Sequence, residues 1–415
     1  MRMRLGPFVA ALVVAATVCV TALAGSQAAP GVTKTKFVIG GTFPLTGAAS
    51  SYAPIPVGMK VYFTHINARR GTDKKRGVSG RQIVWKYYDD GYNPANTAQQ
   101  TRKLVEEDKV FALFGGLGTE PQQAVVDYLN QRKVPQLCVS TGATEFDANY
   151  SQDPYTLGWQ PDYFAEGTIY GKYAAANWPD KKIGVIYQND DYGKNYLDGL
   201  RNGLGSKQSN ITTTEGFAVT DTSVAAQVSR IKAANVDVIA IFGTPTPTIR
   251  TYATMKALKF RPSEVLVNSV SATDTFMKLA LANADAATVN GSISTAYLMD
   301  PQEPKYANTA GMKLYKAQMA KWAPNVDPNN GLYLYGMAKA YDVVKILGLA
   351  GKNPTRAKLV YAARHMNWVN PFTIPGVKIK TSPTDPFAIS QVKLIRFQDG
   401  RWNEFGSLIS GRGGT

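Results

Sequence analysis

The sequence predicts an α/β protein made of two doubly wound parallel-sheet lobes, and three observations carry that expectation. From residue 36 onward, short apolar runs alternate with amphipathic stretches, the pattern of parallel strands covered by helices. The alternation starts afresh after a stretch rich in Tyr, Trp and Pro, 150–164, with no low-complexity linker between the two series. Finally, 415 residues exceed what one core holds at roughly 150 per domain.

In the first series, 36–41 reads as a strand, 57–68 as a helix and 82–89 as an alternating strand. Asn93 followed by Pro94 marks a helix start, with a cap and then proline at the first helical position, and this helix runs to about 107. Residues 110–114 form a strand, 122–132 a helix and 136–139 a strand. In the second series, helices over 166–177, 193–204, 222–234 (capped by Thr222 or Asp221) and 246–258 alternate with strands over 182–187, 236–242 and 265–268. The last third adds helices over 307–322 and 333–349 and a strand over 391–397. Two such lobes leave a cleft at their junction, and doubly wound sheets bind ligands beyond the carboxyl ends of their strands.

The first residues read differently. Arg2 and Arg4 precede an uncharged run over 8–23, and Ser26, Gln27 and Ala28 offer small residues for cleavage. This is the layout of a secretory leader, 1–28, with a run shorter than the ~20 residues a membrane span needs. Val18 stands where a lipidation signal before Cys19 wants a small residue, which argues against lipid anchoring there. Without the leader only Cys138 remains, so no internal disulfide forms. Loss of Arg2 and Arg4 takes the net charge from +16 to +14. The remaining Lys and Arg are scattered, with no aromatic-interleaved stripe, and read as a solvated surface rather than a nucleic-acid interface. Two His, His65 and His365, give a zinc site or a His-based triad little to work with.

The glycine-rich FGGLGTEP, 114–121, ends a strand, but Gly118 is followed by Thr119, Glu120 and Pro121 rather than the Lys-Ser/Thr of a phosphate loop. What is left is a helix start capped by Thr119, whose free N–H groups and hydroxyl suit a single carboxylate; the bland alternative is a capped turn. The stretch 134–146 repeats that logic with Ser140, Thr141, Gly142 and Thr144. Asp190 and Asp191 read as helix caps, and YYDDGYNPAN, 87–96, lacks the oxygen spacing of a calcium loop and reads as a capped turn. No G-x-S-x-G elbow is present, so no catalytic residue, metal or cofactor is assigned.

In order, IGGTFPLTG, INARRG, DDGYNPANT, FGGLGTEPQQA, VPQLCVSTGAT, VIYQNDDYGKNY and FGTPTPTIRTYATMKALKF resemble the bacterial ABC-transporter solute-binding proteins of the leucine/isoleucine/valine type. Each motif is weak alone; seven in series, covering about 36–402, are specific. The resemblance implies the type I periplasmic binding protein fold, with two lobes joined by three crossovers near 155–160, 296–300 and 390. Lobe I would hold 36–158 and 300–389, and lobe II 159–299 and 390–415. It also implies an exported, periplasmic or cell-surface monomer that closes on a small molecule and delivers it to a membrane permease; a ligand-sensing receptor domain for a signalling partner would share the fold. Carried over by position, Thr119 meets the ligand carboxylate, Gly142, Ala143 and Thr144 complete that site, and Tyr192 and Tyr52 stand near aromatic wall positions. Where amino-acid binders place an acid for the ligand ammonium, this chain has Asn268 and Ser269, and a second expected aromatic falls on Thr244 or Pro245. An ammonium buried without a counter-charge is costly, so the expected ligand is a carboxylate lacking that group, an aromatic or aliphatic acid, with a branched-chain amino acid as the alternative. Trp159 and Gln160, at the first crossover, would add a flat wall and a neutral hydrogen-bonding group.

Overall fold

The computed structural model describes residues 29–71 and 75–411; the leader expected over 1–28, and the reading of Cys19 with it, lie outside them. The first sheet is parallel and five-stranded, in the order β2-β1-β3-β4-β5. Its strands β1 (Lys36–Phe43), β2 (Gln82–Asp89), β3 (Leu113–Phe114), β4 (Gln136–Val139) and β5 (Thr156–Gly158) are joined by α1 (Pro54–Ala68), α2 (Pro94–Arg102), α3 (Thr119–Gln123), α4 (Val126–Gln131) and α5 (Glu145–Ala148). After a first crossover come α6 (Tyr163–Asn177), β6 (Ile183–Gln188), α7 (Asp191–Leu204), β7 (Ile211–Phe217), α8 (Ala225–Ala233), β8 (Val238–Phe242), α9 (Pro245–Ala257), β9 (Glu264–Val267), α10 (Asp274–Asn283), α11 (Ala286–Val289) and β10 (Ile293–Ala296). A second crossover leads to α12 (Ala310–Trp322), α13 (Gly331–Leu349), α14 (Arg356–Ala363) and a small hairpin, β11 (Asn367–Trp368) with β12 (Ile379–Lys380). A third returns the chain through β13 (Gln391–Gln398) and β14 (Arg401–Ser410) to a seven-stranded sheet, β14-β13-β10-β9-β8-β6-β7. The fold is thus two α/β lobes joined by three crossovers. Its central strands are buried on both faces, as β8 shows at every position, which is why they read as unbroken apolar runs.

Several expected elements come out differently. The second sheet is mixed: β13 runs antiparallel to β10 and to β14, the turn into β14 being Asp399-Gly400, both at positive φ, as an Asp-Gly hairpin requires. The strand expected over 110–114 shrinks to β3 because Arg356 takes the carbonyls of Phe111 and Val110 at 2.9 Å each. The helix expected over 122–132 breaks into α3 and α4, since buried Gln136 donates to the Gln122 carbonyl (3.1 Å) that an unbroken helix would use. Helix α8 starts late and has no side-chain cap; Asp221 accepts instead from Ala218 N (2.9 Å), closing a turn. Asn93 caps α2 as expected, accepting from Ala95 and Asn96.

Two helix pairs pack backbone to backbone. In α6 and α7 the facing glycines leave no room for a side chain: a Cβ on Gly171 would stand 2.3 Å from the Leu200 carbonyl, and one on Gly203 2.2 Å from that of Thr168. Gly58 and Gly336 do the same for α1 and α13. These contacts hold α13 close behind the ends of β3 and β4, where the site lies.

Candidate functional site

A cavity of about 160 Å³ lies between the lobes, far more than the roughly 10–15 Å³ one water needs. Of the ten residues expected there, Tyr52, Thr119, Gln160, Tyr192, Thr244 and Ser269 line it; Gly142, Ala143, Thr144 and Trp159 do not.

The first lobe's wall is built at the ends of β3 and β4. A bridge between Leu117 and Ser140 prolongs their pairing and sets Thr119 beside Thr141, their hydroxyl oxygens 2.7 Å apart. Each glycine of FGGLG makes room for a neighbour. A Cβ on Gly115 would press on the Lys339 stem (3.0 Å), one on Gly116 on the Gln122 amide (2.2 Å), and one on Gly118, at φ 104°, on the Tyr92 ring (2.6 Å). Gly118, not Thr119, takes the cap position, and no side chain caps the helix. Helix α3 is also only five residues long, so a helix dipole supplies little at this end. Above it, Tyr52 turns the edge of its ring to Phe276 of the second lobe (6.1 Å), and its buried hydroxyl has no partner among the described residues.

The misplaced residues have definite roles. Thr144 joins the lobes: its hydroxyl donates to Asp162 (2.6 Å) and its N–H to Asn195 on α7 (2.9 Å), while Asn195 donates to Glu145 (3.3 Å). Gly142 and Ala143 lie under the first crossover, where the Gly142 carbonyl accepts from Tyr163 N and Ala143 N–H donates to Thr141 Oγ1 (3.0 Å). Trp159 is wholly buried behind the wall, its indole N–H on Asp342 (2.8 Å) and its ring edge-on to Tyr335 (5.3 Å).

On the second lobe, Tyr192 donates to Asn268 (2.9 Å), and Thr244 to Gln188 (3.1 Å). Asn268 is committed within its own lobe: its amide donates to the carbonyls of Ile241 and Gly243, and its oxygen also accepts from Ser271 N. It ties the ends of β8 and β9 together. Asp190 caps α7 through Gly193 N and accepts from Gln188; burial pushes its carboxyl up to about 6. Beneath Ser269 lies an acid the sequence did not reveal. Glu166 on α6 is fully buried and accepts from Ser269 N (2.8 Å), Ser269 Oγ (2.7 Å), Tyr196 (2.9 Å) and Tyr170 (2.5 Å). Burial raises its carboxyl against the pull of those donors. Asp300, Glu303 and Glu404 also line the cavity, near the crossovers. Glu404 is held by Lys305 (2.8 Å), and Asp300 accepts from Gln302 N (2.7 Å). Asp274, which is not in the wall, is pushed up to about 7 by burial and then by Asp300.

Gln160 closes the cavity at the first crossover, accepting from Tyr335 (2.8 Å) and donating to Tyr163 (2.7 Å). Tyr335 comes from α13, whose polar positions Tyr335, Lys339 and Asp342 fall at i, i+4 and i+7 on an apolar helix. That spacing puts them on one face and was the available signal for the residues missed here.

Two α/β lobes, three crossovers and a buried cleft between them are the architecture in which small-molecule sites commonly lie. The periplasmic binding protein profile matches residues 36–401, and the chain belongs to that family. It is 24% identical over 225 residues to Leu/Ile/Val-binding protein homolog 2 of Brucella abortus, a match covering 53% of this chain and 57% of that relative; the chain thus spans a little over half of it. Among solved structures it is similar to a branched chain amino acid ABC transporter protein from Thermus thermophilus with bound valine (16% identity, 91% and 97% of the two chains, TM-score 0.78). It is also similar to a fatty acid ABC transporter substrate-binding protein from Thermomonospora curvata (20% identity, 92% and 95%, TM-score 0.76). At these identities the structural likeness speaks to the fold.

Proposed function

We propose that this chain is the extracytoplasmic solute-binding component of an ABC importer, exported by its leader, and that its lobes enclose a carboxylate-bearing solute lacking an α-ammonium. Lobe I is assigned 36–158 and 300–389, and lobe II 159–299 and 390–415. The observation that carries the ligand class is the state of the second-lobe wall. Asn268 stands where a counter-charge is expected and is spent on its own sheet. Glu166 lies under Ser269 with a donor on each oxygen, two of them from Ser269 itself. An ammonium there would be desolvated with no free acid to meet it, whereas the rings of Tyr52, Tyr192 and Tyr163 suit an apolar or planar body. The names of the relatives support both an amino acid and a fatty acid as cargo.

Calorimetric titration with leucine, isoleucine and valine against benzoate, 3,4-dihydroxybenzoate and octanoate tests this. At least one acid binds about ten-fold more tightly than any of the three amino acids, a difference of about 1.4 kcal/mol. Sub-micromolar leucine affinity with no response to the acids would overturn it. One observation favours that second reading: Asp300 lines the cavity. In that case Asp300→Asn abolishes leucine binding.

A further inference from the structure

Lys339, in the middle of α13, is fully buried. Its Nζ donates to Ser140 Oγ (2.5 Å) and Tyr335 OH (3.1 Å), and it lies over the rings of Trp159 (4.9 Å) and Tyr335 (4.7 Å). No carboxylate among the described residues pairs with it; its charge is held by neutral dipoles and ring faces, a costly arrangement. Asp342, a turn further on, is occupied by the indole N–H groups of Trp159 and Trp368 (2.8 and 2.7 Å). Gly115 is kept bare beside the Lys339 stem, so the glycine motif at the cavity accommodates the ammonium behind it.

Both hydrogen-bond partners of Lys339 line the cavity, and the ammonium fixes the direction of everything that follows. Because Lys339 has only protons to give, Tyr335 accepts from it and donates its own proton to Gln160 Oε1. The Gln160 amide is thereby turned so that Nε2 donates to Tyr163, leaving its second N–H and the Tyr163 hydroxyl proton as the ends of the chain. Tyr163 in turn neighbours Thr141, the partner of Thr119. A cation at the root thus makes this end of the cavity a surface of proton donors, in a medium of low dielectric that screens the charge little.

We infer that Lys339 is the residue that selects for a negatively charged ligand group at the Thr119 end of the cavity, acting through Tyr335, Gln160 and the field of its ammonium rather than by contact. The charge a short α3 does not supply comes from behind. This rests on the carboxylate half of the reading above and not on the absence of an ammonium. Burial pulls Lys339 down to about 7, so the selecting charge is present below that value and lost above it. The titratable groups that face it are Tyr335 and Asp342 on its own helix and Cys138 on β4. Burial raises Tyr335 and Cys138 and pushes Asp342 up to about 7.

The test titrates three acid–amide pairs into the full chain: benzoate and benzamide, octanoate and octanamide, leucine and leucinamide. For the acid that binds the wild type best, Lys339→Met weakens binding by about ten-fold or more and changes the matching amide by less than about two-fold. Tyr335→Phe, which cuts the chain of donors, lowers the same acid-to-amide ratio. Wild-type binding of the acid weakens between roughly pH 6 and pH 9, and amide binding does not. Equal losses for acid and amide in Lys339→Met would make the residue merely structural and overturn the inference, as would an unchanged ratio. If Lys339→Met does not fold, Tyr335→Phe and the wild-type pH arm decide. Leucine binding best but still depending on Lys339 would sink the ligand class proposed above and leave this inference standing; failure of every acid to bind near 1 mM would sink both.

Discussion

Thr119 shows how much one side chain at the cavity is asked to do. It shares a hydrogen bond with Thr141 while facing the cavity; with Thr141 as the donor of that bond, the Thr119 hydroxyl proton is left for a ligand oxygen. A hydrogen bond to a charged group contributes roughly 1.5–3 kcal/mol. On the ligand class proposed above, Thr119→Val therefore weakens binding of the acid about ten- to a hundred-fold by titration, and lowers the stability of the ligand-free protein by about 1 kcal/mol through Thr141. Unchanged affinity would remove Thr119 from the site. Tyr52, Tyr192, Thr244 and Ser269, carried over from the family resemblance, follow recognisable strands and line the cavity, Tyr192 in the first turn of α7 and Thr244 just before α9. Lys339 left only the spacing of Tyr335, Lys339 and Asp342 on an apolar helix as its signal, and Glu166 left none, because nothing local distinguishes a buried acid on α6 from an exposed one.

At the scale of elements, the packing of α6 on α7 depends on the absence of side chains. A methyl at Gly171 or Gly203 meets backbone, which cannot swing aside, so the helices must separate and lose close packing along their length. Gly171→Ala and Gly203→Ala each cost about 1–3 kcal/mol, read as a lower midpoint in urea unfolding. A change of only a few tenths would mean that the pair slides freely. Two of the elements misjudged from sequence, β3 and the helix after it, share one cause, which is competition from partners distant in the chain. Arg356 takes the carbonyls of 110 and 111, and Gln136 that of Gln122; no window around β3 or α3 contains those residues. Asp399-Gly400 is different, since its turn signal was present and announced the antiparallel ending of the second sheet.

For the whole molecule, the three crossovers make the first lobe discontinuous, and this is why the candidate site was only half legible. Ser140 and Lys339 are 199 positions apart yet in hydrogen-bond contact. Both lobes also contribute to a seam beside the cavity. There Asn195 of α7 receives the Thr144 N–H and donates to Glu145, and Thr246 donates to the Ala48 carbonyl (3.1 Å). None of these bonds touches the cavity wall built by Thr119 and Ser140, so they add to the lifetime of the enclosed state without reading the ligand. Most affinity differences within one interface lie in dissociation. Asn195→Ala removes two bonds worth about 1 kcal/mol each; it speeds ligand release in stopped-flow measurements by about thirty-fold and barely alters association. Equal changes in both rates would mean that the seam forms before the ligand arrives. In the function proposed above, the lobes' grip on each other acts as a clock, setting how long a solute stays enclosed independently of what that solute is.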